Sequence, residues 1–248
     1  MFGIYDLDVC TDLGFEKRLD VYKKCGFSEV AIYLDKNYNK ENENYEDIIN
    51  YTKEIGLKIN QVHIDYKISN LICDENSNEY FDYVLGKLKE AEKFNIPYVV
   101  AHASKGDNPP KISPLQATKL KTMLEKTSST LCLENVRSNE NLFALLKLNL
   151  PNLKACFDLG HAHAYGDEKE IFEKLKNKIA CTHLHDNFGK DDHLILGEGE
   201  IDFKSIINEL KNTPNISNCL ECFPPYGSNL NEEEFTLFVK KCFKSVNN

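Results

Sequence analysis

Residues 2–12 read FGIYDLDVCTD. Phe2 to Tyr5 is a short apolar run of the kind that forms a buried strand. The turn after it, DLDVCTD, contains no glycine. That turn bears on the choice between two parallel α/β architectures. An open doubly wound sheet usually follows its first strand with a Gly-rich turn that receives a phosphate. A closed barrel carries no such requirement.

The same strand-then-helix unit recurs to the end of the chain. Strands are expected at Glu29 to Leu34, Lys58 to Asp65, Tyr98 to Ala103, Thr130 to Val136, Leu153 to Leu159, Ile179 to Asp186 and Asn218 to Phe223. Amphipathic runs rich in Lys and Glu alternate with them: Phe15 to Cys25, Tyr45 to Ile55, Asn78 to Phe94, Ser113 to Thr127, Ser138 to Lys147, Asp167 to Asn177, Phe203 to Lys211 and Leu230 to Val246. Gly26 and Gly56 stand where helices stop, and Ser113-Pro114 reads as a cap and first helical residue. Eight such units in 248 residues match the size of a closed parallel (β/α)8 barrel. No linker or low-complexity tract interrupts them, so residues 1–248 are expected to form a single domain.

Composition narrows the function. The chain is 42% hydrophobic and 28% charged, as in soluble globular proteins. No apolar run approaches the roughly 20 residues of a membrane span, and the start, MFGIYDLDVC, shows no signal-peptide pattern. The nine cysteines lack paired metal-type spacing and several lie in apolar strand runs, so they read as reduced, buried thiols of a cytoplasmic protein. A net charge of −9 argues against a large nucleic-acid footprint. The only arginines are Arg18 and Arg137, so bidentate phosphate clamps are scarce.

The chemistry gathers at the carboxyl ends of the strands, where barrels of this kind build their sites. The third strand offers His63 and the fourth His102. The fifth offers Glu134 and Asn135, and the sixth Asp158 followed by His161 and His163. The seventh, in THLHDNFGK and the DDH that follows, offers His183, His185, Asp191 and His193; the eighth offers Glu221. All seven histidines of the chain fall on these ends. Glu134 and Glu221 lie inside apolar runs, where a carboxylate is costly to bury unless paired or bound to a cation. Imidazoles and carboxylates crowded together suggest a divalent metal.

The motifs VHIDY, VVAHA, LCLENV, FDLGHAHAYG, HLHDN with DDH, LGEGEIDF and LECF resemble, in order, those of the xylose-isomerase-like TIM barrel superfamily. That superfamily includes sugar phosphate isomerases and epimerases and the type IV apurinic endonucleases. The resemblance implies one divalent ion held by Glu134, Asp158, His183 and Glu221, with the two glutamates doubling as acid and base. In the endonuclease members three zinc ions bind, and the further ligands match His63, His102, His161, Asp191 and His193. His185 and Asn135 are expected to stand behind the ligands.

The expected protein is therefore a metal-dependent isomerase or epimerase of a small sugar or sugar phosphate. The alternative is a zinc phosphodiesterase with two or three ions. Zinc, manganese, magnesium and cobalt all suit the donors, and a homo-oligomer is open. Specificity is expected from the loops after the first, second and fourth strands.

Overall fold

The computed structural model describes residues 2–34, 43–74 and 77–247. Eight parallel strands close into a barrel in sequence order. They are β1 (Phe2–Tyr5), β2 (Val30–Tyr33), β3 (Gln61–His63), β4 (Tyr98–His102), β5 (Thr130–Glu134), β6 (Leu153–Asp158), β7 (Ile179–Leu184) and β8 (Ser217–Leu220). Closure is made by β1 against β8, with Gly3 in register with Cys219 and Ile4 with Leu220. The helices are α1 (Phe15–Cys25), α2 (Tyr45–Glu54), α3 (Asn78–Lys93), α4 (Pro114–Leu124), α5 (Glu140–Leu146), α6 (Leu159–Tyr165), α7 (Glu168–Leu175), α8 (Lys204–Asn212) and α9 (Glu232–Asn247).

The helix ends follow from the sequence. The Ser113 side chain accepts from the Gln116 amide and the Gln116 side chain bonds back to Ser113, with Pro114 at the first helical position of α4. Gly26 ends α1 at φ 107°, a left-handed conformation that favours glycine. The main hydrophobic core lies between strands and helices. Inside the barrel are two small clusters, Val100–Cys132–Cys156–Ala180–Cys181 and Tyr5–Ala31–Cys219.

Several boundaries differ from the sequence expectation. β3 is only Gln61–His63, because Lys58 makes an isolated bridge to Glu29 and a 3-10 segment, Tyr66–Cys73, begins soon after His63. β8 ends at Leu220, so Glu221 follows the last ladder residue, although its amide still donates to the Leu184 carbonyl at 3.1 Å. α6 falls where the sequence suggests only a strand end and a loop. Its cause is Asp158, whose carboxylate accepts from the His161 amide at 2.6 Å and caps the helix. Of the loops expected to set specificity, residues 35–42 lie outside the described residues.

Candidate metal centre

Strands β5, β6 and β7 and the end of β8 deliver Glu134, Asp158, His183 and Glu221 to one place. Register explains three of them. Cys156 pairs with Glu134 across β5–β6, Asp158 pairs with His183 across β6–β7, and paired residues on parallel strands face the same side. One donor atom from each of the four lies within 4.8 Å of the others, and all four residues are buried.

His183 Nδ1 lies 3.3 Å from Glu134 Oε2 and 3.1 Å from Glu221 Oε2. Neither approach has hydrogen-bond alignment: both ring nitrogens of His183, and Asp158 Oδ2, are buried with no hydrogen-bond partner. Unaligned donors at these separations are what a shared cation requires. A tetrahedron with ~2.1 Å metal–ligand bonds has edges of ~3.4 Å. The donor set of carboxylates and one imidazole fits a divalent ion.

Three further sets flank the four. On one side His63 and His102 approach Glu134 Oε2 at 3.1 and 3.4 Å, and the three form a second candidate set. On the other side His185, Asp191 and His193 form a third, and Asp158, His161 and His185 a fourth. His161 Nε2 lies 3.4 Å from Asp191 Oδ2, and His193 Nδ1 lies 3.2 Å from Asp191 Oδ1. His193 sits at φ 52°, a left-handed conformation uncommon for a non-glycine residue. Its ring stacks on His185 at 4.1 Å.

The charge states follow from this crowding. Burial alone would raise the Glu134 carboxyl, but the His183, His102 and His161 imidazoles overcome it and hold it well below its ordinary value. Burial likewise opposes ionisation of Glu221, yet His183 holds it at about 2. Asp191 is also held at about 2, by His161, His193 and His185 against its burial. Burial pushes His183 and His161 down, but the carboxylates prevail and raise both well above the ordinary imidazole value. For His102 and His193 burial wins, and both are lowered.

Asn135 stands behind Asp158. Its side-chain amide donates to the Asp158 carbonyl at 2.8 Å, and its oxygen accepts from the Asp158 amide at 2.8 Å. His185 belongs to two of the candidate groups and lies 3.2 Å from Asp158 Oδ1. Gly160 makes this possible: a Cβ there would stand within 1.9 Å of the His185 ring. His163 turns away and pairs with Glu168 at 3.1 Å. Two residues at the centre escaped sequence reasoning. Tyr5 places its ring edge-on to His183 at 5.7 Å, and Cys156 shares a candidate group with Glu134 and His183. The alternating pattern of β1 and β6 held the signal for both.

Comparison with known proteins identifies the family. Residues 19–236 match the model of the family described as xylose isomerase-like TIM barrel. The chain belongs to that family. Curated relatives are similar over short stretches only. One is the uncharacterized protein MJ1311 of Methanocaldococcus jannaschii, 43% identical over 77 residues, covering 29% of this chain and 26% of the relative. The match thus spans about a quarter of that protein's length. Solved structures match over nearly the whole chain. An L-ribulose 3-epimerase superposes with TM-score 0.77 at 15% identity, covering 99% of this chain and 93% of its own. A D-tagatose 3-epimerase-like protein gives TM-score 0.72 at 22% identity, covering 99% and 98%. A family member from Mycobacterium smegmatis in complex with magnesium gives TM-score 0.62 at 14% identity, covering 95% and 91%. At these identities the likeness establishes the fold.

Proposed function

We propose that the protein is a divalent-metal-dependent isomerase or epimerase of a small sugar or sugar phosphate. The observation that carries this reading is the pair of buried glutamates, Glu134 and Glu221, each within 3.3 Å of the same nitrogen of His183. The epimerases among the structural neighbours support it. Glu134, Asp158, His183 and Glu221 would hold the ion. Bound there, it supplies positive charge where the substrate's adjacent oxygens turn negative. One glutamate takes the proton from the carbon beside the carbonyl, giving an enediolate, and the other returns it on the opposite face. His183 stands between the two carboxylates, and Asn135 fixes Asp158.

The decisive experiment incubates the metal-loaded protein with ketoses and ketose phosphates in D2O. Deuterium is expected at the carbon that changes configuration. A panel with neither epimer nor label overturns the reading.

A second reading, a zinc phosphodiesterase related to the apurinic endonucleases, is favoured by the ligand groups on either side of the four. Glu134 belongs both to the four and to the His63–His102 set, as a bridging carboxylate would. Two or three tightly bound zinc ions per chain, with cleavage of an abasic duplex abolished by Glu134→Ala, would replace the first reading with this one. The net charge of −9 favours the small-molecule reading. No helix among the described residues is long and apolar enough to cross a membrane. All nine cysteines are free, which supports a cytoplasmic setting.

A further inference from the structure

Each of the four central residues is preceded, two positions earlier, by a cysteine: Cys132 before Glu134, Cys156 before Asp158, Cys181 before His183 and Cys219 before Glu221. Residues two apart on a strand share a face. The thiols therefore line the barrel interior directly beneath the carboxylates and imidazole, and all four are buried. Cys132, Cys156 and Cys181 pack together with Val100 and Ala180. Cys219 packs instead beside Tyr5 and turns its sulfur to the Leu220 carbonyl at 3.6 Å.

A buried cysteine ordinarily serves as a small hydrophobe. Cys156 departs from that role in its surroundings. Its sulfur is grouped with a donor atom of Glu134 and one of His183, all within 4.8 Å of one another. Among the described residues no other cysteine joins such a group. His183, in the same group, is fully buried with both ring nitrogens unpartnered. Two polar groups and a thiol thus converge where nothing in the chain satisfies the imidazole.

We propose that Cys156 is a sulfur donor to a cation bound by Glu134 and His183 at the barrel-interior edge of the four-residue set, since its sulfur groups with those two residues and not with Asp158 or Glu221. The inference rests on reading this site as a metal centre, and it deepens that reading by choosing the ion. A thiolate beside carboxylate and imidazole favours zinc or cobalt over magnesium or manganese, which prefer oxygen. Binding breaks the Cys156 S–H bond, sends its proton to solvent and forms the metal–sulfur bond. No electrons are transferred, so no oxidant is needed.

Cobalt(II) loading of the full chain tests this without reference to turnover. The expected spectrum has visible d–d bands together with an intense near-ultraviolet sulfur-to-cobalt charge-transfer band. Cys156→Ser should lose the near-ultraviolet band and keep the visible ones. Its zinc affinity should fall by ~100-fold, while its magnesium affinity changes by less than ~3-fold. Zinc X-ray absorption of the wild-type protein gives a check that needs no variant: a sulfur scatterer at ~2.3 Å beside lighter atoms at ~2.0–2.1 Å. Visible bands without the charge-transfer band, or a zinc shell of nitrogen and oxygen alone, overturn the role of Cys156 and leave the metal centre standing. A band that survives in Cys156→Ser also overturns it. Absence of any cobalt bands removes the metal centre itself, and this inference with it.

Discussion

Two clusters of buried charge sit at the mouth of the barrel, and they are built on opposite plans. In the first, Arg18 is fully buried and every one of its five N–H groups has a partner. Nε and Nη2 donate to Asp6 at 2.9 and 2.8 Å, Nη1 and Nη2 to Glu43 at 2.9 and 2.7 Å, and Nη1 also to the Leu13 carbonyl at 2.7 Å. Tyr22 donates to Asp6 at 2.9 Å. In the second, Asp158 Oδ2 and both nitrogens of His183 have no hydrogen bond. The first cluster carries its own cation, an arginine. The second brings three carboxylates around one imidazole and leaves donors pointing at one another. A saturated buried network is a structural tie. An unsaturated one of this composition has donor atoms left over for a guest, which is the role proposed for it.

The contrast is broken most forcefully by changing ligands in the second cluster. Glu221→Gln and His183→Ala should each lose nearly all activity and more than ~100-fold in metal affinity, beyond what removal of a residue behind a ligand usually costs. The fold should survive, as circular dichroism would report. The double variant should be little worse than either single one, since the two residues act as a unit. Calorimetric metal titration checks this. Wild-type affinity in either single variant removes that residue from the ligand set, and for His183 transfers the role to His185.

The first cluster should respond in the opposite way. Arg18→Met leaves Asp6 and Glu43 facing each other without a cation, and unfolding in urea should show a loss of ~3–5 kcal/mol. Metal affinity of the folded variant should stay near wild type. A large loss of affinity with little loss of stability would mean that the two clusters are one system.

A smaller effect concerns pH. The surrounding carboxylates raise the His183 and His161 imidazoles above their ordinary value against the effect of burial. Their folded values lie above the unfolded value of ~6.5, so their stabilisation is complete below that pH and is lost as pH rises through the folded values. Glu221, held at about 2, contributes in the opposite sense: its stabilisation is present above its ordinary range and is lost as pH falls toward about 2. A metal must displace the imidazole protons, so its affinity should rise with pH across neutrality, by up to ~10-fold per unit for each proton released. Competition titrations at successive pH values measure the slope. A flat profile would mean that these imidazoles are not displaced from their protons by the metal.

The periodic alternation of apolar strands and amphipathic helices made the barrel legible, since both periods are local properties of the chain. The residues at the strand ends were legible for a related reason: a glutamate inside LCLENV or CLECF has no inexpensive structural role. The Arg18 cluster was not legible. Its members Asp6, Arg18 and Glu43 lie in three different segments, and only packing of α1 against the ends of β1 and the segment before α2 unites them.

The sequence by itself determined which chemical groups would reach the mouth, through strand order and the face shared by alternate residues. It did not determine which way identical motifs would turn. The chain contains His-x-His twice, at His161–His163 and at His183–His185. At the end of β7 the pair stays on one side, and both rings enter the centre. In α6 residues two apart lie ~200° apart around the axis, so His161 faces Asp191 while His163 leaves for Glu168. That difference rests on the Asp158 carboxylate, which caps the His161 amide and winds the chain into a helix where the strand would otherwise have run on. Local alternation is written in the residues; that it gives way at Asp158 to a capped helical turn, while the β7 pair keeps strand periodicity, is seen only in the fold.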